Sequence, residues 1–290
     1  MPEETVTPMR RVLRWIRDRW HPLHALRQSR RFGKLLKALD RPISCRIPHI
    51  AFPVQVMALR NANISISAAN PHINLFLVMA DVFQVKTFWD VGANIGYYTW
   101  VLKSSVPALD AVMFEPDTIN KKLIGATIRK NRLPSIELRP AAVGSARGST
   151  TFKVDSFGSE TGSIARAETI DETLYGASSE SITVDVIPLD EVLQERNGQL
   201  PDLVKIDVEG AEQLAFEGAT NLVKSEHPVF HCEVRNEFKE YIFGLLQSAG
   251  YRVLDASNLS ELSKSTWDIL AIPRRLQGKE QELRARFLKE

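Results

Sequence analysis

The chain has 290 residues, 44% hydrophobic and 25% charged, a balance that suits an enzyme-sized globular protein and excludes a disordered or repetitive one. Its formal net charge of +2 is too small to define a partner. The two cysteines, Cys45 and Cys232, indicate no disulfide framework and a reducing compartment. No stretch approaches the roughly 20 apolar residues of a membrane span. Arginines interrupt Val12, Leu13, Trp15 and Ile16, so the N-terminus reads as lacking a secretory signal, and a cytoplasmic protein is expected.

Residues 1–41 are strongly basic. Arg10, Arg11, Arg14, Arg17, Arg19, Arg27, Arg30, Arg31, Lys34 and Lys37 lie among apolar Val12, Trp15, Trp20, Leu23, Leu35 and Leu36, with Asp18 the single acid between positions 5 and 39. Two amphipathic helices broken at Pro22 are expected. They read either as a peripheral anchor on an anionic membrane surface or as a solvated cap over the cleft. Nucleic acid is not an expected partner, because no recognised binding motif accompanies the charge.

Residues 42–86, with Pro42, Pro48, Pro53 and Pro71, suggest short strands and a helix around Leu75–Phe83, forming a cap on the substrate side. Over residues 87–273 strands and helices alternate, which predicts a mainly parallel sheet covered on both faces. Strands are expected near 87–91, 110–115, 135–139, 202–207, 228–234, 251–254 and 267–272, and helices near 95–104, 117–131, 210–224 and 237–249. Between them, Ala141–Val143, Thr150–Val154 and Ser181–Val186 read as β pieces around a Gly/Ser/Thr-rich loop from Asp155 to Ser179. That loop is long for a compact domain and reads as a lid or substrate-binding loop. Residues 274–290 form a charged tail of mixed sign.

Three strand ends carry chemistry. Phe88–Tyr98 reads F-W-D-V-G-A-N-I-G-Y-Y, a strand that ends in Asp90 and enters a turn with Gly92, Asn94 and Gly96. Glycine there permits φ > 0 and removes the Cβ that would hold a ligand away. The next helix would point its unpaired N–H groups at that ligand. The spacing is not the G-x-G-x-x-G of a dinucleotide site. An acid at position 90 would repel phosphate and suit an ammonium group instead. Val112–Asp117 (V-M-F-E-P-D) places Glu115 at the end of the next strand, where a carboxylate can accept both hydroxyls of a ribose. Alternatively, Glu115 and Asp117 read as helix-start acids that complement the dipole.

Leu203–Glu212 (L-V-K-I-D-V-E-G-A-E) delivers Asp207 and Glu209 to the same edge, with Glu212 in a capping position. In P-V-F-H-C-E-V, residues 228–234, alternation puts His231 and Glu233 on one face. His231 reads either as a satisfied core histidine or as a helper in proton transfer.

In this order, D-V-G-A-N-I-G-Y-Y, F-E-P, A-A-V-G at 141–144, L-D-E-V-L at 189–193 and K-I-D-V-E-G-A-E resemble the FkbM-type S-adenosylmethionine-dependent methyltransferases. The resemblance covers about residues 87–272 and implies a Rossmann-like seven-stranded α/β sheet of order 3-2-1-4-5-7-6 with the last strand antiparallel. It implies transfer of a methyl group to a hydroxyl of a sugar, glycolipid, polysaccharide or secondary metabolite. Asp90, Gly92, Asn94, Gly96 and Glu115 are then expected to hold S-adenosylmethionine, with Ala142 near its adenine.

Asp207 is the expected base, followed by Glu209, with His231 and Glu233 as helpers. A divalent ion on Asp207, Glu209 and Glu233 is a secondary alternative, since oxygen ligands suit Mg²⁺ or Ca²⁺. An NAD-dependent oxidoreductase and a non-catalytic scaffold at a membrane surface are the competing functions. The 42–86 segment and the Asp155–Ser179 loop are expected to line the acceptor pocket.

Overall fold

The computed structural model describes residues 38–61, 71–154, 162–164 and 180–288. Most of the basic N-terminal segment therefore lies outside the described residues. So does the Asp155–Ser179 loop, apart from residues 162–164.

The described chain opens with an antiparallel hairpin of β1 (Pro42–Cys45) and β2 (Val54–Met57). Helix α1 (Pro71–Val82) begins at a proline, which suits a first helical turn where the missing N–H has no intrahelical partner. Then follow β3 (Thr87–Val91), α2 (Tyr97–Ser105), β4 (Asp110–Phe114), α3 (Thr118–Asn131) and β5 (Ile136–Arg139). A second sheet interposes, made of β6 (Ala142–Val143), β7 (Gly148–Val154), β8 (Gly162–Ile164) and β9 (Glu180–Ile187). The chain returns through α4 (Leu189–Glu195), β10 (Leu203–Ile206), α5 (Glu212–Glu217), α6 (Thr220–Lys224), β11 (Val229–Glu233), α7 (Lys239–Ser248), β12 (Arg252–Asp255), β13 (Asp268–Ile272) and α8 (Glu280–Phe287).

The main sheet has the order β12-β13-β11-β10-β3-β4-β5. Its pairs are parallel except at β13, which runs antiparallel to both β11 and β12. Numbered within the sheet this is 3-2-1-4-5-7-6, the order the resemblance implies. The central strands are apolar on both faces, as a covered parallel sheet requires. Trp89, Val91, Val204, Ile206 and Phe230 face one core with α4 to α7. Phe88, Leu203, Val229, Leu270 and Ile272 face another with α1, α2 and α8. A third cluster joins the hairpin to α3 through Val54, Val56, Trp100, Met113 and Ile124. Trp100 is fully buried, and its indole N–H donates to the Ile95 carbonyl at 2.7 Å, tying α2 to the turn before it. Emptying that position costs about 3–5 kcal/mol in a well-packed core.

The β pieces expected in the 140–188 region pair into the sheet β6-β9-β7-β8, with the strands β7 and β9 antiparallel over seven residue pairs. Two expectations need revision. The helix expected over 210–224 is two helices, the first capped at Gly218, where a Cβ would lie 2.1 Å from the Gly144 carbonyl oxygen. The chain breaks there, and Asp190 caps the restart by accepting from the N–H groups of Asn221 and Leu222. The charged segment after Pro273 is no loose tail. Leu276 and Leu283 are buried, α8 packs on α1, and Lys279 Nζ donates to the Val82 carbonyl at 2.6 Å. Its charges hide two apolar anchors a helical turn or two apart.

Candidate active site

The first part of the site is the turn after β3, whose N–H groups are already engaged within the protein. Those of Gly92 and Ala93 both donate to the Phe114 carbonyl, at 3.1 and 3.0 Å. That of Gly96 donates to Ala93 at 2.7 Å, and that of Asn94 to Glu115 Oε2 at 2.7 Å. Asn94 and Gly96 take the left-handed conformation, with φ of 55° and 88°, so α2 starts at Tyr97 rather than at 95. Gly92 also has positive φ, 76°, and a Cβ there would lie 1.8 Å from the Asp207 carbonyl oxygen. At Gly96 a Cβ would lie 2.5 Å from Met113 Cε and 2.6 Å from the Trp100 ring. Neighbouring protein atoms demand both glycines. This corrects the expectation that their missing Cβ atoms clear space for a ligand.

Asp90 is fully buried. Its Oδ2 accepts from the Thr99 hydroxyl at 2.7 Å, and Oδ1 lies 3.6 Å from Lys205 Nζ. The ammonium group that meets Asp90 therefore belongs to Lys205, a second correction. Lys205, itself buried, also lies 3.3 Å from Asp207 Oδ2, donates to the Gly92 carbonyl at 3.2 Å and sits 5.2 Å from the centre of the Tyr98 ring. Burial alone would lower its pKa, but Asp207 and Asp90 outweigh burial and raise it.

Glu115 is 4% exposed. Its two oxygens accept from the N–H groups of Asn94 and Asp117, both at 2.7 Å, and the Asn120 side chain adds a third hydrogen bond. Burial pushes its carboxyl up to about 8 against the pull of those donors. Three of the roughly four lone-pair sites of the carboxyl group are thus engaged, which leaves one for a further donor. Asp117 is a helix cap, with Oδ1 accepting from Ile119 and Asn120. Ala142 is buried in the second sheet, in a cluster with Phe152 and Val184.

The second part lies across β10, β11 and β13. The Asp207 side chain is 35% exposed, more open than Glu209 at 24% or the buried Asp90 and Glu115. Glu209, at φ 50°, pairs with Arg235 at 3.2 Å. Glu212 is buried and accepts from the Gly210 N–H at 2.8 Å, the capping role expected of it, with burial pushing its carboxyl up to about 7. His231 and Glu233 share a face: Glu233 opposes Asp268 across the β11–β13 pair, and the His231 ring lies 4.9 Å from Phe76 and 5.5 Å from His72 of α1. Burial, then Asp207, Glu209, Asp268 and Glu212, push Glu233 up to about 8. His231 is no satisfied core histidine, since neither ring nitrogen has a hydrogen-bond partner. Burial, with His72 and Lys205, holds its pKa well below the ordinary value, so the ring is neutral.

Asp207, Glu209 and Glu233 do not converge as a metal-ligand set, because Asp207 is turned to Lys205 and Glu209 to Arg235. Among the described residues, the potential ligand atoms that do converge belong to His72, His231 and Asp268.

A family model described as the Methyltransferase FkbM domain matches residues 90–253, more than half of the chain. This chain belongs to the FkbM methyltransferase family. The matched span starts at Asp90 and ends in β12, so it takes in the first part of the site and the β10 and β11 acids of the second, but neither His72 nor Asp268. The Hexuronic acid methyltransferase AglP of Haloferax volcanii is 29% identical over 153 residues, which are 51% of this chain and 56% of that one. The chain thus spans about half the length of the curated relative it matches. A solved Methyltransferase FkbM from Methylobacillus flagellatus KT is 20% identical with a TM-score of 0.42, over 64% of this chain and 43% of that one. An O-methyltransferase from Bacillus cereus in complex with SAH is 13% identical with a TM-score of 0.43, over 91% and 97%.

In this FkbM family member the sequence reading missed Lys205, His72, Asp268 and Arg235. Lys205 carried a readable signal. It alternates with Asp207 on one strand and falls level with Asp90 on the next, so all three share a face. His72 and Asp268 carried none, because they come from elements far apart in sequence.

Proposed function

We propose that this protein is an S-adenosylmethionine-dependent O-methyltransferase acting on a hydroxyl of a sugar or glycan acceptor. The observation that carries the reading is Glu115, a buried carboxyl group at the end of β4 held by two backbone N–H groups and the Asn120 side chain, with one acceptor position to spare. In this reading Glu115 accepts a ribose hydroxyl, and the turn Gly92–Gly96 supplies a rigid wall. Asp90 holds that wall in place through Lys205 and Thr99. S-adenosylmethionine, when bound, supplies a methyl group on a positively charged sulfur. Asp207, half-open at the neighbouring strand end, takes the proton from the acceptor hydroxyl, and Lys205 orients its carboxylate. Alignment of the two reactants supplies much of the remaining rate. The relative named for hexuronic acid favours an acceptor with a sugar acid.

A dinucleotide reading lacks its cradle, because the N–H groups of Gly92, Ala93, Asn94 and Gly96 are all bonded internally. The test is isothermal titration with S-adenosylmethionine together with turnover on uronic-acid-containing glycans followed by mass spectrometry. Glu115→Ala should weaken cofactor binding by at least about tenfold. Asp207→Asn should keep cofactor binding and lower turnover by about 10²–10⁴-fold. Folded protein that does not bind S-adenosylmethionine overturns the reading.

A further inference from the structure

His231 is 4% exposed, and a buried imidazole with two unpartnered nitrogens forgoes about 1–3 kcal/mol per unsatisfied group. A group retained at that cost is expected to have a ligand. Two other potential ligand groups stand beside it. His72, from the first turn of α1, and Asp268, from the start of β13, each offer an atom, and those of all three residues lie within 4.8 Å of one another. His72 Nε2 and Asp268 Oδ2 are 3.5 Å apart. Two ligands about 2.0–2.2 Å from a tetrahedral ion stand about that far apart. The His72 and Asp268 side chains are 17% and 27% exposed, which leaves an entry path, while His231 closes the inner side.

We propose that His72, His231 and Asp268 form a binding site for a divalent first-row transition ion, with Zn²⁺ the natural probe. Two imidazoles and one carboxylate suit Zn²⁺, Fe²⁺ or Co²⁺ better than the hard ions Mg²⁺ and Ca²⁺. Three protein ligands leave at least one coordination position for water or for an oxygen of a bound molecule. The ligands come from α1, β11 and β13, so the ion would also pin α1 to the sheet. The site is distinct from Asp207 and Glu209, whose carboxylates are held by Lys205 and Arg235.

The test uses the full chain, stripped of metal with a chelator, dialysed and titrated with ZnCl₂ in the absence of S-adenosylmethionine. Failure here and failure of the methyl-transfer reading are therefore separate results. One Zn²⁺ per chain is expected, with a higher melting temperature on binding. His72→Ala, His231→Gln and Asp268→Asn should each weaken binding by at least about tenfold, whereas Asp207→Asn and Glu209→Gln should leave it within a few-fold. His72 and Asp268 are only partly buried, so their variants keep the test decisive if His231→Gln does not fold; circular dichroism checks each. Co²⁺ in place of Zn²⁺ should give a visible band that His72→Ala alters. The proposal is overturned by folded wild type that shows no saturable binding up to about 100 µM Zn²⁺. It is equally overturned if His72→Ala and Asp268→Asn bind as tightly as wild type, or if Asp207→Asn and Glu209→Gln abolish binding.

Discussion

The two halves of the sheet edge are built on opposite principles. On the β3–β4 side the acids and the turn backbone are tied within the protein, although buried Asp90 Oδ1, Tyr97 Oη and Asn120 Oδ1 have no hydrogen-bond partner. Asp90 has Thr99 and Lys205, Glu115 has the N–H groups of Asn94 and Asp117, and the glycine turn bonds to Phe114. On the β10–β11–β13 side carboxylates crowd together, Glu233 is pushed up by four neighbouring acids as well as by burial, and His231 has no partner. The first half is a preformed wall that needs little from a ligand to hold its shape. The second holds unmet electrostatic and hydrogen-bonding demand, which is where a bound acceptor, ion or proton in transit would be felt most.

The contrast can be broken or sharpened by substitution. The largest effect should come from Lys205→Met, which leaves the buried Asp90 carboxylate without its cation. A loss of about 3–5 kcal/mol is expected by chemical denaturation. A loss under about 1 kcal/mol would mean that Thr99 alone sustains Asp90, and that the wall is not built on the ion pair.

Next is the pH dependence of Glu115. Its folded pKa, about 8, lies above the ordinary 4.5. The folded chain thus holds a proton that the unfolded chain releases, and stability should fall as pH rises from about 5 to 8. Across that window the wild type should lose about 2–4 kcal/mol relative to Glu115→Gln, which cannot titrate. Parallel pH–stability curves would show that the two backbone donors outweigh burial.

Gly92→Ala should cost about 3 kcal/mol, because it combines positive φ with a collision against the Asp207 carbonyl. Gly198→Ala, at the same φ of 76° but in open space, should cost about 1 kcal/mol. Equal losses in thermal melts would mean that backbone conformation, not the approach of β10, fixes the turn. The smallest change is expected at Arg235→Ala. Its pair with Glu209 is about a quarter exposed, so roughly 1 kcal/mol should be lost, with a larger change in the pH profile of turnover than in stability.

Local patterns made the wall readable in outline. Strand, acid, glycines and Glu115 occupy two short segments, and alternation correctly put His231 and Glu233 on one face. The same patterns misassigned the reasons. Gly92 looked like clearance for a ligand and is clearance for a strand. Asp90 looked like a ligand anchor and is the partner of Lys205. A one-dimensional pattern shows which residue types meet at a turn, but not which neighbouring strand end would collide with an added Cβ there.

Hydrophobic periodicity and strand-end acids by themselves determined the doubly covered sheet, its strand order through resemblance, and the positions of Glu115 and Asp207, because each rests on residues near one another in the chain. Only the tertiary structure decided the break at Gly218, the docking of α8 on α1 and the meeting of His72, His231 and Asp268. Those depend on elements separated by tens to hundreds of residues, and contact at that range is set by how helices and strands stack, which no local spacing encodes.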